Sequence, residues 1–151
     1  MTHRRPFTAM AAGALVIGAV MLLSSCAANP VSGRQDFMLI SEQEEIDMGR
    51  KVDASVTGEY GLYDDPRLTA YVSDMGRKLG KLSHRPQLDY SVKLLDSPVV
   101  NAFAAPGGYL FFTRGILATL NSEAELSGVM GHEIGHGTAR HSAQQLSRAQ
   151  V

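Results

Sequence analysis

The five residues His132-Glu133-Ile134-Gly135-His136 place two metal-binding side chains and an acid at HExxH spacing. On an α-helix, positions four apart lie about 40° from each other around the axis, so both imidazoles can bind one metal ion. Glu133 lies about 100° round from His132, where it can reach a water on the metal without being a ligand. Zinc lowers the pKa of such a water to about 7, and the carboxylate can take its proton as it attacks a peptide carbonyl. The spacing therefore predicts one Zn²⁺ ion, with His132 and His136 as ligands and Glu133 as general base of a metalloendopeptidase.

The segment before the motif must form the helix that positions it. Asn121 or Ser122 can cap its start, and acidic residues follow in the first turn, where the helix dipole favours them. Apolar residues then recur at steps of three and four, which predicts one buried face. Glycines also stand at four positions of this helix, although each lowers helix stability by up to about 1 kcal/mol. We expect another backbone to approach closely at these glycines: Gly128, Gly131, Gly135 and Gly137.

The remaining elements predict an α+β fold. Ser41 and Glu44 have the spacing of a capping box for a helix over about 42–57, and Asp65-Pro66 can open a second helix. That second helix carries an apolar stripe of Leu68, Val72, Met75, Leu79 and Leu82. Alternating residues predict strands at 88–95, 99–104 and 109–113, the last two joined as a hairpin-like unit by the turn Pro106-Gly107-Gly108. A short helix over about 115–120 then leads to the motif helix. The expected architecture is a helical N-terminal part, a small sheet and the HExxH helix, as in a partial zincin-like domain.

The N-terminus predicts an export signal. A basic start is followed by an apolar run from Ala9 to Leu23, which ends in Leu23-Ser24-Ser25-Cys26. This ending resembles the bacterial lipobox, after which the cysteine is acylated. An uncleaved anchor helix and an ordinary buried thiol are the alternatives for Cys26. We expect a lipoprotein signal peptide over 1–25, a lipid-anchored tether over 26–40, and the N-terminal portion of a catalytic domain over 41–151. Similarity to lipoproteins of Gram-negative bacteria, with Ala27 after the cysteine, implies the outer membrane, facing the periplasm.

The overall charge argues against nucleic-acid binding. The formal net charge is −1, and the Lys and Arg residues are scattered rather than clustered. The partners that we expect instead are polypeptide substrates of the metalloendopeptidase, and the membrane through the lipid on Cys26.

Several motifs together resemble a known family. They are residues 100–109 (VNAFAAPGGY), Thr113-Arg114-Gly115, residues 123–126 (EAEL) and residues 131–136 (GHEIGH). Together they resemble the zinc metallopeptidase family of the CAAX prenyl endopeptidase, HtpX and BepA type, over about residues 35–150. The resemblance implies that His132 and His136 bind zinc and that Glu133 is the general base.

The same resemblance implies a substrate-binding strand. The residues Asn101, Ala102, Phe103 and Ala104 are similar to the family's edge strand, against which an extended substrate lies as an added strand. An open edge offers unpaired N–H and C=O groups, so it can bind the main chain of a peptide with little dependence on the peptide's sequence. The alternative is a buried hairpin strand with Asn101 as a polar cap.

The chain departs from the family at the third zinc ligand. The family's third ligand is a glutamate on a later helix, whereas no Asp or Glu follows Glu133 here. His141 lies about 140° round from His136, so it fits a second-shell or surface position better than a ligand position. Either the chain is a fragment of a longer product or it is a short protein with two histidines and water; we expect a fragment.

Three hypotheses about function follow. The first is a zinc metalloendopeptidase of the bacterial envelope that cleaves unfolded or misassembled proteins. The second is a catalytically inactive lipoprotein that binds polypeptide at a sheet edge, as a chaperone or assembly factor. The third is a zinc ion that holds the fold together without catalysis.

Overall fold

The computed structural model describes residues 26–28, 33, 35–37 and 40–140 and has the predicted α+β class. In chain order the elements are β1 (Cys26–Ala28), β2 (Gln35–Phe37), α1 (Glu42–Tyr60), α2 (Pro66–Lys81), β3 (Ser91–Leu95), β4 (Ala102–Ala105), a 3₁₀ turn (Pro106–Gly108), β5 (Tyr109–Thr113), α3 (Arg114–Leu117) and α4 (Glu123–Thr138). None of the helices in this part of the chain has both the length and the apolar character needed to cross a bilayer.

The first two helices begin at the predicted caps. The Ser41 hydroxyl accepts a hydrogen bond from the Glu44 N–H at 3.2 Å, and the Glu44 carboxylate accepts one from the Ser41 N–H at 2.8 Å. This capping box satisfies N–H groups that have no partner within the helix. Asp65 caps α2 in the same way, by accepting from the N–H groups of Arg67 and Leu68. Helix α1 ends at Tyr60 rather than at residue 57, because Gly61, with φ of 69°, ends it there.

The main sheet has three strands in the order β3-β5-β4. Strand β5 lies in the centre, parallel to β3 and antiparallel to β4, which confirms the predicted hairpin of β4 and β5. Strand β3 begins at Ser91 rather than at residue 88, because Ser91 is paired with Tyr109, the first residue of β5. Strand β4 runs from Ala102 to Ala105 rather than over 99–104.

Both faces of this sheet are covered by helices. One face packs against α2 and α4 in a core of Val72, Met75, Leu88, Tyr90, Val92, Leu94, Leu110, Phe112, Leu126, Met130 and Ile134. The other face packs against α1 through a smaller cluster of Leu95, Ala105 and Phe111, with the half-buried side chains of Val52, Val56, Phe103 and Tyr109. Successive residues of a strand point to opposite faces, so each strand contributes to both clusters. The sheet is therefore the middle of three layers.

Two further local predictions need correction. Leu82 is 83% exposed instead of buried, because α2 ends at Lys81 and Leu82 lies past its last turn. Helix α3 spans Arg114–Leu117 rather than about 115–120, because the Thr113 hydroxyl caps it by accepting from the Ile116 N–H. Within the segment predicted to be a lipid-anchored tether, β1 and β2 pair antiparallel, with Cys26 opposite Phe37.

Candidate active site

Helix α4 carries the HExxH motif and begins as predicted. The Ser122 hydroxyl accepts from the Glu125 N–H at 3.2 Å, and the Glu125 carboxylate accepts from the Asn121 N–H at 2.7 Å. Two of the N–H groups at the helix start are satisfied in this way, and the acidic side chains of the first turn lie at the positive end of the helix dipole. Helix formation through the motif therefore has a clear local cause.

The inner face of α4 fixes its position on the sheet. Its buried residues are Leu126, Met130, Ile134 and Thr138, one turn apart. This stripe packs into the core that α4 shares with α2 and the sheet. Helical geometry places the midpoint of the two histidines about 160° round from the midpoint of this stripe. Both imidazoles consequently lie on the exposed side of the helix.

The two histidine side chains converge. The Nε2 atoms of His132 and His136 are 3.0 Å apart, and the rings meet edge to face at 89°. Two Zn–N bonds of about 2.0–2.1 Å at a tetrahedral angle hold their nitrogens about 3.3 Å apart. The observed separation is close to that value, and imidazole nitrogen is a preferred zinc donor. The pair therefore fits two ligand positions of a zinc ion.

Glu133 stands beside this pair at the flank of the buried stripe, where it is half-buried. Among residues 40–140, no set of three or more His, Cys, Asp or Glu side chains forms a group that could hold a metal ion. The described part of the chain thus offers two candidate ligands, His132 and His136. The place of Glu133 next to the ligands suits a residue that acts on a proton rather than one that binds metal.

The glycines of α4 do not have the predicted neighbours. A Cβ atom built on any one of the four glycines of the helix would meet nothing within 4 Å in the described structure. The prediction of a close backbone approach is therefore wrong for this part of the chain. The reason is that α4 contacts its described neighbours through the long side chains of its buried stripe, which keep other backbone at a distance.

Strand β4 forms one edge of the sheet next to α4. Within the described sheet it pairs only with β5, so its other side carries no strand. The Thr113 N–H donates to the Asn101 carbonyl at 3.1 Å, so these two residues form a hydrogen-bonded pair at the end of the ladder. Hydrogen-bonded and non-hydrogen-bonded pairs alternate along an antiparallel ladder. Ala102 and Ala104, paired with Phe112 and Leu110, therefore point their N–H and C=O groups to the open side.

The side chains of β4 divide between the two faces. Ala102 and Ala104 pack against the core that contains the buried stripe of α4, and both are half-buried. Phe103 points to the α1 side, where its ring stacks on Phe111 with centroids 4.9 Å apart. Asn101 is exposed and lies just before the strand. The structure therefore brings residues 101–104 to an open edge beside α4, and does not bury them as the alternative expected.

The start of β4 is held by contacts that the sequence did not predict. The Thr113 hydroxyl lies 3.0 Å from the Asn101 carbonyl, accepts from the Asn101 N–H at 3.2 Å, and also caps α3. Gly115, two residues after Thr113, has no room for a side chain, because a Cβ atom there would lie 2.3 Å from the Pro98 carbonyl oxygen. These contacts fix the loop that leads into the edge strand. Thr113 and Gly115 belong to one of the motifs that carry the family resemblance, but the contacts themselves depend on the folded loop and could not be predicted from that motif.

A buried charge cluster, defined here as Glu45, Arg85 and Arg140, was also not predicted. Glu45 is 1% exposed and Arg85 is 3% exposed. Arg85 donates to Glu45 and to Glu42 at 2.8 Å each, and Arg140 donates to Glu45 at 2.8 Å. Burial lowers the pKa of Arg85, but the hydrogen bonds that it donates to Glu45 and Glu42, with the charges of these carboxylates, outweigh burial and raise the pKa overall. The hydrogen bond from Arg85 is likewise the main reason that the pKa of Glu42 lies below its ordinary value.

Two surface clefts lie away from the motif histidines. One, of about 780 Å³, runs along β3 at the far edge of the sheet and includes Asp65, Arg77 and Lys93. The other, of about 370 Å³, lies between the end of α2 and the face of α4 that carries Gly131 and Gly135. His84 borders the second cleft and lies in the loop after α2. Neither cleft is lined by His132, Glu133 or His136, so the open face of α4 is the candidate place for the chemistry.

Comparison with known proteins agrees with this geometry. The model of peptidase family M48 matches residues 66–151, which include the edge strand and the whole HExxH motif. The chain belongs to peptidase family M48. This membership agrees with the resemblance, and zinc is the metal on which this family generally depends.

Curated relatives have related names. The chain is 32% identical to the mitochondrial metalloendopeptidase OMA1 of Schizosaccharomyces pombe over 139 residues, which cover 89% of this chain and 41% of that protein. It is 29% identical to the beta-barrel assembly-enhancing protease of Escherichia coli over 121 residues, which cover 80% of this chain and 25% of that protein. A putative beta-barrel assembly-enhancing protease of Vibrio cholerae is 34% identical over 85 residues, covering 56% of this chain and 18% of its own length. The chain thus spans less than half the length of these relatives.

Two predicted sites are outside what these findings address. Cys26 begins β1, and its acylation stays a prediction. His141 lies beyond the described residues, so the prediction made for it stays open.

Proposed function

We propose that this chain carries the catalytic helix and the substrate-binding edge of a zinc metalloendopeptidase of the bacterial cell envelope, which hydrolyses unfolded or misassembled proteins. The main support is the 3.0 Å separation of the His132 and His136 Nε2 atoms on a helix that packs beside an open strand edge. Zinc, when bound, supplies a Lewis acid and an acidified water for attack on a peptide carbonyl.

Each residue has a defined part in this proposal. His132 and His136 provide two of the protein ligands, where catalytic zinc sites commonly have three. Glu133 accepts a proton during the attack and can return it to the departing amine, which is general acid–base catalysis. The open N–H and C=O groups of Ala102 and Ala104 bind an extended substrate by main-chain hydrogen bonds.

Edge binding suits substrates that are not folded. Added-strand recognition requires an extended backbone, which a folded protein has already paired within its own sheets and helices. The half-buried alanines leave little side-chain bulk at the edge, so they make few demands on the sequence of the substrate. This is consistent with a quality-control peptidase of broad specificity.

The envelope assignment depends on the N-terminus and on the relatives. Residues 1–25 have the order of a lipoprotein signal peptide, and Cys26 stands at the acylation position. Two of the relatives are named for assembly of β-barrels, which are outer-membrane proteins in bacteria. We therefore place the protein at the outer membrane, anchored by lipid and facing the periplasm.

The decisive experiment replaces the general base in the full-length protein. Glu133→Gln should lower cleavage of casein or of an unfolded envelope protein by about 10²–10⁴-fold, because an amide cannot accept the proton. Zinc content, measured by elemental analysis, should stay at one per chain. Glu123→Gln is the matched control, since it makes the same change on the exposed first turn of the same helix. It should cleave like the wild type.

A second function has one observation in its favour. The open edge of β4 could bind polypeptide without cleaving it, as a chaperone or assembly factor does. In that case Glu133→Gln would change neither polypeptide binding nor any activity, and the wild type would leave casein intact.

A further inference from the structure

The carboxylate of Glu45 is buried and takes no part in the proposed chemistry. Its Oε2 atom accepts from Nε of Arg140 at 2.8 Å. Its Oε1 atom accepts from Nη1 of Arg85 at 2.8 Å and lies 3.4 Å from the backbone N–H of Gly107, which donates to it. One carboxylate on α1 therefore contacts three separate segments of the chain.

Two of these segments belong to the two halves of the candidate active site. Arg140 directly follows the cap of α4, one turn after His136, with a backbone φ of 55° that turns the chain away from the helix. Its Nη2 atom also donates to the Ile40 carbonyl at 2.9 Å, so the side chain holds two acceptors near the start of α1. Gly107 lies in the turn that ends β4. Glu45 thus connects the end of the catalytic helix to the end of the substrate edge.

The packing around the turn makes this connection rigid. A Cβ atom at Gly49 would lie 2.0 Å from the Pro106 carbonyl oxygen, and one at Gly107 would lie 2.6 Å from the Ile46 Cα atom. Helix α1 is therefore in direct backbone contact with the turn after β4. Buried ion pairs contribute little net stability compared with apolar side chains, because desolvation of the charges offsets their attraction. A better-supported role for such a pair is to select one arrangement of the elements that it joins.

We propose that Glu45 and Arg140 are positioning residues that set the distance between the HExxH helix and the edge of β4. The inference rests on the proposed function. His132, Glu133 and His136 share one helix, so their mutual geometry does not depend on this pair. What the pair controls is where that helix stands relative to a peptide bound along β4.

This arrangement predicts a specific kinetic pattern. Loss of the pair should lower kcat, because a displacement of the reacting groups by about 1 Å can reduce the rate about 100-fold. KM should change little, because the edge strand keeps its own hydrogen bonds. Zinc content should also be unchanged, since both ligands remain on α4. A residue that only stabilised the fold would not separate these three quantities.

Two matched lysine substitutions test the proposal in the full-length product. Arg140→Lys keeps the positive charge but cannot contact both Glu45 and the Ile40 carbonyl, because an ammonium group lacks the fork of the guanidinium. Arg85→Lys makes the same change on the other side of the same carboxylate, at a residue whose side-chain ion pairs in the described structure go to α1 and which is the more buried of the two. We expect Arg140→Lys to lower kcat by about tenfold or more, and Arg85→Lys to stay within about threefold of the wild type.

The readouts are kcat and KM on an unfolded polypeptide, zinc per chain, and the absorption spectrum of the Co²⁺-substituted protein. Equal losses of kcat in the two lysine variants, or loss of zinc in parallel with kcat, would overturn the proposal. A second variant, Glu45→Asp, keeps the charge and shortens the side chain by one methylene. It should lower kcat as Arg140→Lys does. If the kcat of Glu45→Asp equals that of the wild type, the role of Glu45 is refuted. A wild type that does not cleave at all would instead refute the proposed function, and the positioning role with it.

Discussion

At the scale of single residues, the proposed chemistry depends on two imidazoles, those of His132 and His136, that the helix brings together. Their convergence could be predicted from the sequence, because the spacing of four residues and the helical period are both local properties. The observed Nε2 separation of 3.0 Å agrees with that prediction. Local pattern was sufficient here because no other segment of the chain is needed to aim the two rings at one point.

Replacement of one ligand should remove the metal. We expect His136→Ala to lower zinc affinity by at least about 10²-fold and to abolish cleavage, because one imidazole of the pair is lost. His84→Ala is the control, since His84 is exposed in the loop after α2 and borders a different cleft. Isothermal titration with Zn²⁺ on metal-free protein checks both variants. Equal affinity in the two would mean that the motif does not hold the metal.

The buried charge cluster could not be predicted at this scale. Glu45 lies in the first turn of a helix, where an acidic residue is ordinarily solvated and favoured by the dipole. Its partners are 40, 62 and 95 positions away in the chain. Contacts at such separations appear only once the elements are packed, so no spacing rule indicates them.

At the scale of elements, α4 and β4 together form the candidate site. The hairpin of β4 and β5 could be predicted from alternation and the Pro-Gly-Gly turn, since both signals lie within a few residues. The bounds of β3 could not be predicted from the sequence, because they depend on where its partner strand β5, a later part of the chain, begins. The prediction of a close backbone approach at the glycines of α4 was wrong for a similar reason. The low helix propensity of glycine does not reveal which part of the chain, if any, packs against that face of the helix.

The open edge of β4 makes a prediction about backbone hydrogen bonding. Ala104→Pro removes an N–H group that points away from β5, so the sheet should keep its own ladder while a bound substrate loses one hydrogen bond. We expect kcat/KM for an unfolded polypeptide to fall by about two- to tenfold, the effect of about 0.5–1.5 kcal/mol.

Ala104→Gly is the control for this substitution, because it also alters packing but keeps the N–H group. It should have kcat/KM close to that of the wild type. If the glycine variant loses as much activity as the proline variant, main-chain recognition at this edge is refuted.

The contact of α1 with the turn after β4 makes a prediction about stability. Gly49→Ala would place a Cβ atom 2.0 Å from the Pro106 carbonyl oxygen, so we expect it to destabilise the fold by about 1–3 kcal/mol. Gly58→Ala lies on the same helix with nothing within 4 Å of its Cβ, and should stabilise by up to about 1 kcal/mol. Urea unfolding of both variants measures the difference. Two variants of equal stability would contradict the close packing of α1 on the turn.

At the scale of the whole molecule, the described fold does not depend on the motif histidines. Its two apolar clusters join the helices to both faces of the sheet and contain neither His132 nor His136. The α+β class could be predicted from the order of the elements. The assignment of α1 to one face, and of α2 and α4 to the other, could not, because it depends on which strand lies in the centre.

This independence decides between a catalytic and a structural zinc ion. Zinc at a thousandfold excess over its Kd raises the free energy of unfolding by about 4 kcal/mol, and removal of zinc loses only this amount. The free energy of unfolding of a typical domain is about 5–15 kcal/mol. We therefore expect a chelator to abolish cleavage by the full-length product while its near-ultraviolet circular dichroism and cooperative thermal unfolding persist. Added Zn²⁺ should restore cleavage, which controls for irreversible damage. Collapse of the tertiary signal on chelation would instead identify the metal as part of the scaffold, because a core that is closed by its own side chains has no reason to open when two surface imidazoles lose their ion.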